Sequence, residues 1–159
     1  MKKTLLKDIV LILLFFLLFK YVLLFGIIPS SSMEPTLLSN SFAIINGTKY
    51  WWSSPERGDI IVFYSEELEE TLIKRVIGLP GEEVSFEDGL VHINGRILSE
   101  PYLSSEEFTL AFQTFNVPEQ EYFLLGDNRM NSYDSRSWKT PYIHLDQIKG
   151  KLLFSFVLY

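Results

Sequence analysis

Apolar residues crowd the first 28 positions of the chain and then break into short runs separated by turn residues. Ile9 to Phe19 is unbroken and apolar, with Lys2, Lys3, Lys7 and Asp8 before it and Lys20 after it. A helix from Thr4 to Phe19 covers about 24 Å at about 1.5 Å per residue, short of a hydrocarbon core of about 30 Å. Extending it to Ile28 would place Lys20 near mid-membrane, at about 2.5 to 3.5 kcal/mol on insertion scales, with a side chain that leans back toward the cytoplasmic end. The pattern therefore predicts a short membrane helix ending near Lys20. Tyr21 to Ile28 follows as an apolar strand or interfacial segment at the outer leaflet.

From Ser39 onward no long helical period recurs. Ile60 to Tyr64, Leu72 to Ile77 and Tyr122 to Leu125 are β-rich runs bounded by Gly, Pro, Asn and Asp, the signature of strands. Asn94-Gly95, between Leu90–Ile93 and Arg96–Leu98, is a strong hairpin signal. Leu152 to Tyr159 is too short to cross a bilayer and is expected to be a closing strand. Glu66 to Glu70 is expected to be a solvated loop between two strands. The predicted fold class is mainly β: an antiparallel sheet or partial barrel preceded by one transmembrane helix. The expected division is an anchor over 1–20 and an extracytoplasmic catalytic body over 21–159.

The length, 159 residues, fits one domain. Charge divides the chain: the first 28 residues carry a net +3, from four lysines against Asp8, and the remaining 131 carry −9. An acidic body does not suit nucleic acid. More lysines before the apolar run than after it place the amino terminus in the cytoplasm. A cleaved secretory signal is the alternative for this segment, with Ser30-Ser31-Ser32 as small cleavage-site residues. No Ala-x-Ala stands there, since the first alanine is Ala43, and retention as an anchor is the expectation. The chain has no cysteine and two histidines, His92 and His144. Thiolate chemistry is excluded, a histidine triad has little to draw on, and neither a metal nor a cofactor is expected.

The candidate chemistry begins in Pro29-Ser30-Ser31-Ser32-Met33-Glu34-Pro35. Three serines beside prolines make a turn, but a hydroxyl there becomes a nucleophile if a base takes its proton, and Ser-Lys pairs are one solution. The base must be neutral, which a desolvated lysine achieves and a guanidinium does not. Lys74 fits. On a strand from Leu72 to Val76 it shares a face with Leu72 and Val76, while Arg75 points away.

Ser32-Met33-Glu34-Pro35-Thr36-Leu37, Arg57-Gly58-Asp59 with Ile60 to Phe63, Lys74-Arg75-Val76-Ile77-Gly78-Leu79-Pro80-Gly81-Glu82 and Gly126-Asp127-Asn128-Arg129 through Arg136 resemble, in order and spacing, the successive boxes of bacterial type I signal peptidases. The resemblance implies a membrane-bound endopeptidase with Ser32 as nucleophile, attacking from the unusual face of the scissile carbonyl, and Lys74 as general base and then acid. It further implies Ser30 as an oxyanion donor beside the Ser32 N–H, and Ser132 as the hydroxyl that orients Lys74. Asp134 and Arg136 would be a buttressing ion pair. The substrates implied are signal-peptide-bearing preproteins cut after small residues at −1 and −3, with Ile28, Met33, Leu37, Leu72 and Ile73 lining the pockets. The implied location is the bacterial cytoplasmic membrane, single-pass, with the lipid bilayer as a partner and the active site outside. Met130 stands where an aspartate is common in the family, and Gly26 where an aromatic is common. The short interval from Gly81 to Tyr122 resembles the minimal core form. Two other functions fit the same residues: a peptidase dedicated to one pilus or conjugation substrate, and an inactive anchored module that captures export signals.

Overall fold

The computed structural model describes residues 2–103, 108–111 and 113–157. Helix α1 (Lys2–Val22) runs without a loop into strand β1 (Leu23–Ile28). The helix expected to end near Lys20 thus continues to Val22, within the usual fraying of a boundary, and the apolar strand begins at Leu23 instead of Tyr21. The Lys20 side chain lies outside the described ones. Length is not what limits α1, since its 21 residues extend about 31 Å. Its charges do: Lys7, Asp8 and Lys20 leave only Ile9 to Phe19 uncharged, about 17 Å of helix. Among the described residues no helix is long and apolar enough to cross a membrane, where one short transmembrane helix was expected.

The body is built from β2 (Ser41–Asn46), β3 (Ile60–Ser65), β4 (Glu70–Gly78), β5 (Glu83–Glu87), β6 (Leu90–Ile93), β7 (Arg96–Ile97), β8 (Phe115–Asn116), β9 (Glu121–Leu125), β10 (Tyr142–His144) and β11 (Ile148–Phe156). Seven strands make one antiparallel sheet in the order β1, β2, β11, β3, β4, β9, β10, and four make a smaller sheet in the order β7, β6, β5, β8. The closing strand therefore inserts between β2 and β3. Of the run expected to form it, Leu158 and Tyr159 lie outside the described residues. Asn94 and Gly95 turn β6 into β7 with φ of 50° and 74°, the left-handed pair that a two-residue hairpin needs.

Among the described residues, three apolar clusters form the core. Ile28, Met33, Leu37, Ala43, Ile45 and Val62 pack under the β1 end. Ile61, Phe63, Val76, Tyr122, Leu124 and Trp138 form a second cluster, and Ile77, Val84, Val91, Phe115 and Phe123 a third beneath the small sheet. Val76 and Ile77, successive residues of β4, enter different clusters, so β4 is covered on both faces. Strands this far apart in the sheet order, β1 and β4, nonetheless line one groove of about 320 Å³ whose floor is Ala43, Ile45 and Val62. In a flat sheet four strand spacings of about 4.8 Å would separate them; the sheet is therefore strongly curled.

Candidate active site

The turn after β1 is held at both ends. Glu34 N–H donates to the Ser31 carbonyl at 3.0 Å and Leu37 N–H to the Met33 carbonyl at 2.9 Å. The Glu34 carboxylate accepts from the Ser39 hydroxyl at 2.5 Å and its N–H at 3.2 Å, bonds that hold its carboxyl below the usual carboxylate range. Met33 is wholly buried and pins the turn to the core. Ser32 is left at the rim, 8% exposed.

Lys74 comes from the middle of β4, paired in register with Ile61 of β3. Its Nζ donates to Ser32 Oγ at 2.6 Å, and the residue is 3% exposed. Burial pushes the amine down to about 8, against the pull of the Asp134, Glu70 and Asp127 carboxylates and with a smaller push from Arg136. A neutral amine at this distance accepts the serine proton, which is the geometry a general base requires. Ser30 Oγ lies 3.3 Å from Ser32 Oγ, so its hydroxyl reaches the nucleophile itself.

The loop from Gly126 to Arg136 closes over the pair. The Asn128 N–H donates to the Ser32 carbonyl at 3.1 Å, and the Asn128 side-chain amide to the Ser31 carbonyl at 3.1 Å. Asp134 Oδ2 accepts the Gly126 N–H at 3.0 Å and Arg136 Nη2 at 2.8 Å, while Oδ1 accepts Arg136 Nε at 2.8 Å. The Asp134–Arg136 pair is buried, with side-chain exposures of 0% and 8%. Ser132 Oγ, expected to bond the Lys74 amine, is buried with no hydrogen-bond partner among the described residues. The Gly126 backbone explains its position: a Cβ on Gly126 would strike both Ser132 Oγ and the Ser32 carbonyl. The loop thus brings Ser132 against the nucleophile turn but leaves its hydroxyl unbonded.

Arg75 does leave the Lys74 face, but not for solvent. It makes two bonds to Asp127, Nε at 2.8 Å and Nη2 at 2.6 Å, and lies 3.8 Å over the Tyr102 ring. Arg129, fully buried, holds the Gly126 carbonyl at 3.1 Å, Thr109 at 2.6 Å and both oxygens of Glu100. Asp127, Asn128 and Arg129 support the loop, roles not expected from the sequence; their signal was the density of ionic residues between Gly126 and Arg136. Glu67, expected on a solvated loop, accepts the backbone N–H groups of Lys139 and Thr140, while His144 caps a short turn at Leu145–Gln147. Neither histidine bonds Ser32 or Lys74.

Ile28, Leu72 and Ile73 line the groove between β1 and β4. Met33 and Leu37 belong to the same apolar cluster as Ile28 and the groove floor, and they anchor the inner side of the turn that presents Ser32. Gly26 lines the groove with open space where a Cβ would stand, and Met130 is exposed.

A family model described as signal peptidase, peptidase S26, matches residues 1–157. The chain belongs to the signal peptidase family, peptidase S26. Signal peptidase I T of Bacillus subtilis is 36% identical over 160 residues, covering 94% of this chain and 82% of its own length. Probable signal peptidase I-2 of Synechocystis sp. is 40% identical over 135 residues, and signal peptidase I of Leptolyngbya laminosa 43% identical over 137, each match covering 81% of this chain. The match spans 61% of the Synechocystis relative's length and 66% of the Leptolyngbya relative's. The crystal structure of a signal peptidase I from Enterococcus faecalis superposes with a TM-score of 0.55 at 37% identity, covering 63% of this chain and 97% of that one. The antiparallel β body is thus the fold of this family.

Proposed function

We propose that this signal peptidase family member is a membrane-bound serine endopeptidase that removes signal peptides from exported preproteins by a Ser32/Lys74 dyad. The observation that carries this is the 2.6 Å contact between Lys74 Nζ and Ser32 Oγ, made by a lysine that burial brings down to about 8. Neutral Lys74 takes the hydroxyl proton as Ser32 Oγ bonds to the scissile carbonyl carbon. The oxyanion forms beside the Ser32 N–H and the Ser30 hydroxyl; one such donor is worth roughly 10² to 10³ in rate. Lys74, now an ammonium, protonates the departing amine and leaves an acyl ester on Ser32. A water then gives its proton to Lys74, attacks the ester and frees the serine. Asp134 and Arg136 hold the loop that keeps the pair in register. Ser132 is assigned the orientation of the Lys74 amine during turnover.

An extended preprotein segment in the groove between β1 and β4 would present alternate side chains to the sheet. Walls of Ile28, Leu72 and Ile73 admit only small residues near the dyad. Residues 1–20 are assigned as the anchor, with Ile9 to Phe19 in the hydrocarbon, the amino terminus in the bacterial cytoplasm, and residues 21–159 outside. Support comes from the exposed apolar side chains of α1 and from Phe25, Ile27, Phe154 and Phe156, which continue an apolar surface onto the sheet.

Detergent-solubilised preproteins incubated with the full chain test this function. The expected result is one new amino terminus per preprotein, following a small residue. Binding of several preproteins without cleavage would replace the peptidase by an export-signal-binding module, and cleavage of a single one would make it a dedicated processing enzyme.

A further inference from the structure

The groove between β1 and β4 is apolar everywhere except at the end far from Ser32. Thr71 and Lys149 supply its polar side chains there, and Lys149 its charge. Lys149, an exposed residue of β11, donates from Nζ to Thr71 Oγ1 at 2.8 Å and stands 5.2 Å from the centroid of the Tyr64 ring. A long flexible side chain gains little from one exposed contact, but a hydroxyl and an aromatic face together hold its ammonium at the mouth of the groove. Thr71 precedes Lys74 by three residues on β4, about 10 Å along the strand. A substrate extended in this groove with its −1 residue at the dyad reaches Thr71 about three residues further on, at about −4, and Lys149 within about one more, at about 3.3 Å per residue.

We infer that Lys149 is a specificity-determining residue, one that selects an electronegative group of the substrate about four to five residues upstream of the cleavage site. This rests on the peptidase function proposed above. Two sources share that chemistry. One is an acidic side chain at that position. The other is the carbonyl end of the substrate's own apolar segment: such segments run 7–15 residues in signal peptides, and a helix formed there would end in unpaired carbonyls that carry partial negative charge and attract a cation. The body's net charge of −9 over residues 29–159 makes a fixed cation at the groove mouth the local exception that lets either group approach.

The test measures kcat/KM for one preprotein carrying Glu, Gln or Lys in turn at each of these positions, cut by the wild-type chain, Lys149→Ala and Lys149→Glu. An acidic-side-chain source gives a wild-type preference for Glu over Lys of about fivefold, near the ceiling for an exposed ion pair, abolished in Lys149→Ala and reversed in Lys149→Glu. A carbonyl-end source lowers kcat/KM in Lys149→Glu for every substrate alike, with Lys149→Ala between, and the loss shrinks at high salt. A reversal by the opposite charge is not something a loss of packing produces. If all three enzymes cut every substrate with indistinguishable kcat/KM, the inference about Lys149 is wrong while the peptidase stands. If the wild-type chain cuts none, the peptidase function fails and this inference with it.

Discussion

The Asn128 N–H donates to the Ser32 carbonyl at 3.1 Å, tying the loop that follows β9 to the turn that presents the nucleophile. The two segments are far apart in sequence, and Gly126 lets them meet, because a side chain there would occupy the space of Ser132 Oγ and the Ser32 carbonyl. Gly126→Ala is expected to push the turn away from Lys74. A displacement of about 1 Å costs on the order of 10² in rate, so kcat should fall by that order. Adding Ser132→Gly removes the clash with that side chain but not with the Ser32 carbonyl, and also removes the hydroxyl assigned to Lys74, so it should restore little; full recovery in steady-state assays would show that neither group matters.

Burial brings Lys74 down from 10.5 to about 8, and the dyad needs the neutral amine. Activity is expected to rise about tenfold per pH unit below 8 and to level above it. Stability follows the same protons. With the folded pKa below the unfolded one, the unfolded chain binds more protons between pH 8 and 10.5, so wild-type stability rises with pH across that window. At pH 7 the buried lysine costs about 3 kcal/mol at 1.36 kcal/mol per unit. Lys74→Met should therefore raise Tm at pH 7, with the gain shrinking from pH 8 and gone above 10.5; paired thermal melts across pH measure it.

Arg75 and Asp127 are a desolvated pair, with side-chain exposures of 8% and 0%. Removing one partner strands the other. Asp127→Leu or Arg75→Met alone is expected to cost about 3 to 5 kcal/mol in denaturant titrations, and the double substitution to recover much of it. Additive losses would mean the charges act separately.

Ser132 Oγ has no partner among the described residues, so its removal forfeits no ground-state bond to them. Ser132→Ala should leave Tm unchanged or slightly higher while lowering kcat more than KM, since the hydroxyl is assigned to Lys74 during turnover. A Tm drop with unchanged kcat would make it purely structural.

Much of this arrangement could be read from local pattern. Asn94-Gly95 marks its hairpin, the β-rich runs mark β3, β4 and β9, and the proximity of Ser32 to Lys74 follows from the family boxes. The remainder depended on long-range packing. Period two places Arg75 opposite Lys74 but does not tell that Tyr102 and the loop carrying Asp127 cover it there, so a residue expected to point away became half of a buried ion pair. Met33 and Leu37 could be named from the sequence as apolar neighbours of the nucleophile, but their packing with Ala43, Ile45 and Val62 depends on strands far away in the chain. The end of α1 moved from Lys20 to Val22 because β1 takes over only where pairing with Asn46 begins, at Leu23.

Cleavage of one detergent-solubilised preprotein by wild type, Ser32→Ala and Lys74→Ala, with the product amino terminus sequenced, tests the dyad most directly. The expected result is a single cut by wild type and a loss of at least about 10⁴-fold in both variants, with their folds intact, as when a nucleophile or its base is removed from a serine protease. Undiminished cleavage by Ser32→Ala would contradict it.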